Sequence, residues 1–334
     1  RLTGVGLVAV ALTLAGRAGG PGTLRGTTRS RQLASSVLTP PELNSSVPYI
    51  DGERVYQNWD STYVVWSHVL AFVGAYVAFT TTMYMKQVST TCWYWIMLVQ
   101  AGFSLGICTI WSMHFVGMQA LVLRGGEVSG SKEVLLIGFE PSLTISSAIV
   151  AWCIATCALH TALGRKGSEV LNFFAGGGLV EKTSTLSHRK QVVDVLRKLP
   201  ARRIFASAVM LAMAVCAMHY MGMLSQSGNF TMTYNTGIVL LSSVLAIIVC
   251  FAGLSIFFFL FDSIVYRTVS AVIVSVAVNG MHYCGMASAT YFAHLSSRAG
   301  PFGKTRVMAW HLDAQLVMTS VLLLDLTLMA ATGS

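Results

Sequence analysis

Seven apolar stretches, near 62–85, 93–123, 138–163, 204–226, 236–261, 268–292 and 311–331, dominate the chain. Each is long enough to cross about 30 Å of hydrocarbon as a helix rising about 1.5 Å per residue. The lengths fit helices. Only 10% of the 334 residues are charged and 54% are hydrophobic, whereas a soluble domain carries about 25% charged residues. The expected fold class is therefore all-α, a polytopic membrane helix bundle of about seven transmembrane helices.

The formal net charge of +9 raises nucleic-acid binding, but its distribution argues for a membrane surface. Arg165, Lys166, Lys182, Arg189, Lys190, Arg197, Lys198, Arg202 and Arg203 crowd the longest interruption, 164–203. Lys and Arg accumulate in cytoplasmic loops, so this loop is expected inside and the N-terminus outside, with no nucleic-acid partner. Asn44-Ser45-Ser46 and Asn229-Phe230-Thr231 are N-glycosylation acceptor patterns that fall outside in the same topology. Arg298, Lys304 and Arg306 run against it and make the seventh span the least secure. Within the basic loop, Val192, Val193, Leu196 and Leu199 recur at helical spacing, as in an amphipathic helix on an anionic leaflet or a solvated connector.

Three regions are expected: an extracytoplasmic N-terminal segment 1–57, a membrane domain 58–292 containing the cytoplasmic loop 164–203, and 293–334 with an outer loop and the seventh span. Leu2 to Ala15 is short for a span and reads either as the remains of a signal peptide's apolar region or as a gene-model artefact. Seven cysteines, mostly within apolar segments and without paired zinc-type spacing, indicate neither a disulfide framework nor a thiolate site. Cys153, Cys157 and His160 share one helical face, for which core packing is the expectation.

Internal repetition sets the architecture. Met113-His114-Phe115-Val116-Gly117-Met118 returns as Met218-His219-Tyr220-Met221-Gly222-Met223 and as Met281-His282-Tyr283-Cys284-Gly285-Met286. The preceding helices repeat too: Asp60, Glu140 and Asn235 are followed seven residues later by Ser67, Ser147 and Ser242, then by Ala71, Ala151 and Ala246. The unit is a helix pair, present in three parallel copies with pseudo-threefold character. Asp60 and Glu140 are expected to cap helix starts, where a carboxylate accepts from free N–H groups.

Each motif offers an imidazole and a thioether on one face, four residues apart, with a second methionine one position earlier. Thioethers favour Cu(I), imidazole suits copper, zinc and iron, and no carboxylate recurs. Met113, His114, Met118, Met218, His219, Met223, Met281, His282 and Met286 are therefore the candidate metal ligands, with copper as the cofactor and one convergent site in the outer half of the bilayer. An ionisable residue in a membrane marks function by default; a polar network or proton path is the competing reading for the histidines. For Gly117, Gly222 and Gly285 the expectation is helix packing. His68 is a weaker candidate.

The threefold MH[FY]xGM pattern resembles the MHYT domain, over roughly 58–292. That resemblance implies a membrane sensor whose Met, His and Tyr near the outer face coordinate copper and sense a diatomic gas such as oxygen, carbon monoxide or nitric oxide. It also implies a cytoplasmic signalling partner or an output domain, such as a diguanylate cyclase, phosphodiesterase or kinase, beyond Ser334. Phe115 departs from the family's Tyr, so a phenol ligand cannot be common to the three copies, and the loop 164–203 has no counterpart in a minimal domain.

The alternatives are a haem-binding electron carrier and a metal or proton transporter. Haem-based transfer across the bilayer calls for histidine pairs at two depths, whereas the motif histidines share one. Transporters of the inverted-repeat kind have antiparallel repeats, and these are parallel. No nucleophile–base pairing is readable, so catalysis is not expected in this chain.

Overall fold

The computed structural model describes residues 49–85, 90–131, 133–163, 201–259, 264–294 and 314–333. Nearly all of the loop 164–203, the Asn44 sequon, residues 1–48 and the cluster Arg298–Arg306 lie outside them. Seven helices are described: α1 (Ser61–Tyr84), α2 (Thr91–Gln119), α3 (Pro141–Leu163), α4 (Ala201–Leu224), α5 (Thr236–Phe259), α6 (Ile264–Ala287) and α7 (Ala314–Gly333). The first six are long and apolar enough to cross a membrane, and the apolar stretch of α7, Leu316–Leu328, is shorter. The chain is a multi-pass membrane protein.

The helices stop short of the apolar stretches. The stretches 93–123, 204–226 and 268–292 give up their helices at Gln119, Leu224 and Ala287, and the chain continues as β-strands. These are β1 (Arg54–Trp59), β2 (Leu121–Gly126), β3 (Val134–Leu135), β4 (Gly138–Phe139), β5 (Gln226–Ser227), β6 (Phe230–Tyr234) and β7 (Ala289–Ala293). Hydropathy reads Leu121-Val122-Leu123 and Tyr291-Phe292-Ala293 as more helix because they are equally apolar; Leu123 and Tyr291 are buried, in a cap over one end of the bundle.

The cap obeys the repeat. Antiparallel pairs β1–β2, β4–β5 and β6–β7 each join the strand before a unit's first helix to the strand after its second. Each unit is thus strand–helix–helix–strand. One hydrogen bond closes each unit identically: Asp60 N donates to Ala120 O (2.8 Å), Glu140 N to Ser225 O (2.7 Å) and Asn235 N to Ser288 O (2.8 Å). A further pairing, β1 with β7, joins the third unit to the first.

Capping follows the expectation at Asp60, whose Oδ1 accepts from Thr62 N at 2.8 Å; Asn235, for which no cap was expected, does the same, its Oδ1 accepting from Gly237 N at 3.0 Å. Glu140 differs: its carboxylate accepts from the Ser142 hydroxyl. Pro141, the first residue of α3, has no N–H to offer and is pre-set for the first helical turn.

A buried carboxylate pins the cap. Glu53 accepts from Ile50 N (2.8 Å) and Ser129 Oγ (2.6 Å) on Oε1, and from Val128 N (3.1 Å) and Ser129 N (2.8 Å) on Oε2. Burial pushes its carboxyl up, but these donors, Ser129 foremost, outweigh it and hold the group down at about 2.

In the bundle, small residues let helices approach, as expected without a hydrophobic drive between them. A Cβ on Gly106 of α2 would meet the Ala151 backbone of α3. Ala71, Ala151 and Ala246, the repeated alanines, are buried. Cys153 and Cys157 are exposed on the surface of α3, so core packing does not hold for them; His160 instead meets the Tyr94 hydroxyl through Nδ1 at 3.2 Å. Between Ser104 and Trp111, α2 widens into a π-helix, within which the Thr109 hydroxyl donates to Ser104 O at 3.0 Å. Such segments insert one residue into a helix and recur at functional sites.

Candidate metal centre

The motif helices α2, α4 and α6 bring His114, His219 and His282 into one fully buried cluster. Their Nδ1 atoms form a triangle with sides of 3.0, 3.2 and 3.3 Å. The rings stand nearly perpendicular to one another, at 83°, 87° and 88°.

Protons alone do not satisfy this triangle. In neutral imidazole one nitrogen donates and the other accepts. An Nδ1 bearing a proton has no lone pair to offer, and one with a lone pair has no proton. Three Nδ1 atoms in mutual contact therefore contain at least one lone-pair or N–H repulsion, whatever the tautomers. A cation at the centre turns all three contacts attractive. The centroid lies about 1.8 Å from each nitrogen, the mean side divided by √3, against metal–imidazole bonds of about 2.0 Å. An expansion of a few tenths of an ångström admits an ion.

The outer nitrogens complete the arrangement. Each Nε2 is buried and has no hydrogen-bond partner among the described residues, and each ring edge rests on the motif glycine of the next unit. A Cβ on Gly222 would overlap Nε2 of His114, one on Gly285 Nε2 of His219, and one on Gly117 Nε2 of His282. The glycines are thus seats for imidazoles, not merely the general helix contacts expected from the sequence.

The aromatic following each histidine reaches across in the same direction. The Tyr220 hydroxyl meets Ser242 Oγ at 2.8 Å, and that of Tyr283 meets Ser67 Oγ at 3.1 Å. These repeated serines also donate to the carbonyl three residues back, from Ser67, Ser147 and Ser242 at 2.7, 2.7 and 2.8 Å. In the first unit Phe115 has no hydroxyl to offer Ser147 and packs on Trp111 and Phe139, with ring centroids 5.0 and 5.3 Å away.

All six motif methionines are buried. Met113 packs with Ala71 and Val278, and Met218 and Met281 belong to the main apolar core. The Met118 sulfur accepts from Gln226 Nε2 at 3.6 Å, and Gln226 Oε1 accepts from the Tyr291 hydroxyl at 2.9 Å. His68 stands outside the trio: its Nδ1 faces Val64 O at 2.8 Å and its ring stacks on Tyr283 with centroids 6.4 Å apart.

Sequence reasoning did not single out Gln226, Tyr291 or Asn279. Asn279 Oδ1 accepts from the Ser67 hydroxyl at 2.7 Å, and its signal was a lone amide in an apolar helix, three residues before a motif histidine.

Beneath the trio lies an apolar cavity of about 30 Å³. Its lining repeats as the motif does: Ile110, Val215 and Val278 stand four residues before their histidines, and Leu211 and Val274 eight before. In α2 the corresponding residue is Leu105, nine before His114, the offset that one inserted π-helical residue creates. Helical side chains lean in general toward the helix N-terminus, the side on which this lining lies. The cavity wall lacks the two to four polar partners that a water needs.

A three-unit helix bundle closed by a strand cap and centred on three buried imidazoles defines a multi-pass membrane protein with a candidate ligand site in its core. The bacterial signalling protein N-terminal repeat, MHYT, matches residues 108–175 and 213–265. The chain is similar to that repeat over these two regions. It is 23% identical over 271 residues to the signaling protein YkoW of Bacillus subtilis, covering 79% of this chain and 28% of that protein. It is 24% identical over 269 residues to the bifunctional diguanylate cyclase/cyclic di-GMP phosphodiesterase MucR of Pseudomonas aeruginosa, covering 78% and 32%. The chain thus spans about a third of the length of these relatives. No solved structure matches.

Proposed function

We propose that the chain is a membrane sensor in which Nδ1 of His114, His219 and His282 hold one Cu(I) ion. The observation that carries this reading is the Nδ1 triangle, which no assignment of protons satisfies. Desolvation cost rises steeply with charge, so a site of neutral imidazoles without carboxylates favours a monovalent ion over a divalent one. Soft, buried thioethers nearby favour the same metal. A haem would have to place its macrocycle between axial ligands, and imidazoles in direct Nδ1 contact leave no such gap.

A bound Cu(I) would supply an open coordination face and a one-electron couple. The chain's own residues do the rest: the glycine seats fix the rings, the Tyr–Ser bonds lock neighbouring units, and the dry cavity beneath the trio admits only a molecule of a few atoms. A diatomic gas is the ligand class that fits. The strand cap is proposed to face outside and the loop 164–203 the cytoplasm, where a signalling partner or output domain would read helix packing, as the names of the relatives suggest.

The test is metal analysis of protein purified in nanodiscs, with copper absorption spectroscopy. One copper per chain, lost in the triple His→Ala variant, is the expected result; equal copper in that variant ends the reading. Labelling of residue 184 from outside intact cells would overturn the orientation.

A further inference from the structure

A second ionisable group lies buried in the bundle, away from the histidines. Asp325 on α7 is 1% exposed. Its Oδ1 accepts from the Ser104 hydroxyl at 2.8 Å, and its Oδ2 is buried with no hydrogen-bond partner among the described residues. From α2 the Cys108 thiol also faces it. The side chains around this contact are apolar: Leu70, Val73 and Val77 of α1 cluster with Cys108, Val321 and Leu322, and Tyr63 is the titratable residue that α1 adds to that cluster. Among the described residues Asp325 forms no ion pair.

An isolated carboxylate in such surroundings is far more costly than a neutral carboxyl. One bare oxygen is tolerable if Asp325 carries a proton; an anion there would have to draw in water or a cation, and α7 would have to yield. The partner is specific. Ser104 opens the π-helical segment, and its carbonyl accepts the Thr109 hydroxyl from within that segment. One turn away Gln100 Nε2 donates to Leu328 O at 2.9 Å. Thus α7 is clasped to α2 at the start of the segment that ends at Trp111, three residues before His114.

We propose that Asp325 and Ser104 form a proton-binding site that latches α7 to the π-helical segment of the first motif helix. Proton uptake accompanies docking; ionisation of Asp325 releases α7 and frees the segment that sets the register of His114. The proposal does not depend on the metal reading.

The experiment is hydrogen–deuterium exchange of the α7 amides, corrected for intrinsic rates, in nanodiscs over a pH series, with infrared detection of the protonated carboxyl. Once ionisation drives opening, the open fraction should rise about tenfold per pH unit, as one linked proton requires. Asp325→Asn, a neutral isostere, should leave α7 docked and flat with pH and should remove one carboxyl band; Ser104→Ala should raise α7 exchange at low pH. An Asp325 ionised while α7 stays protected, α7 exchange that rises with pH in the Asn variant as in the wild type, or protection that follows sodium at constant pH would each overturn the latch. The His→Ala triple variant should keep the same pH response, separating failure of this site from failure of the metal site.

Discussion

The imidazole edge of His114 rests on the α-carbon of Gly222, a residue of the next unit, so closely that any β-carbon there would overlap Nε2. Gly222→Ala is therefore expected to disturb the trio itself. Overpacking costs about 1–3 kcal/mol, and part of it should surface as weaker copper binding, with Gly285→Ala behaving alike. Copper titration and thermal unfolding with and without metal check this; Gly280→Ala, where a β-carbon meets nothing within 4 Å, is the control. Equal copper affinity in Gly222→Ala and Gly280→Ala would contradict the seat.

Removal of one imidazole should differ from removal of a motif thioether. His219→Ala deletes a corner of the triangle, whereas Met118 already accepts from Gln226. The His variant is expected to lose copper, and Met118→Leu, a volume-conserving change, to cost less than about 1.5 kcal/mol of stability and to retain the metal. Parallel metal analysis and unfolding decide it.

Phe115 invites a repair. Tyr220 and Tyr283 bond to Ser242 and Ser67, and Ser147 is the third serine of the set. Phe115→Tyr should recreate the missing bond and be neutral or stabilising by up to about 1 kcal/mol. Conversely, Ser67→Ala strips Asn279 and Tyr283 of a shared partner and should cost about 1–3 kcal/mol. Unfolding midpoints of both variants test the pair, and equal shifts would argue against the threefold reading.

The cap should weaken in acid. Glu53 is held from an ordinary 4.5 down to about 2. Its contribution to stability is complete above about 4.5 and is lost as the pH falls toward 2. Limited proteolysis at the 126–131 turn should rise across that window in the wild type. Glu53→Gln should cleave readily already at neutral pH.

Much of the fold could be read because repetition survives without knowledge of contacts: three motifs and three polar-Ser-Ala series place three histidines on equivalent faces of parallel units. What escaped depends on neighbours. Leu121 and Tyr291 are as apolar in a strand as in a helix, so the cap was hidden inside the spans. The π-helical residue of α2 leaves no mark in an apolar run; only the offset of Leu105 beneath His114 exposes it. The glycine seats required the direction of the cycle, which local spacing does not encode. Asp325 is an acid in an apolar stretch that the sequence reading did not single out, and its meaning needed Ser104 across the helix contact.

Because each imidazole borrows its seat from the following unit, and the last from the first, the site has no beginning in the chain. A polypeptide emerging with two units inserted offers two nitrogens, and His219 still waits for Gly285. Were the proposed ion to bind, its capture would report completed synthesis: an unfinished molecule would hold an open arc with little purchase on an ion, and a finished one would close on it in a single step.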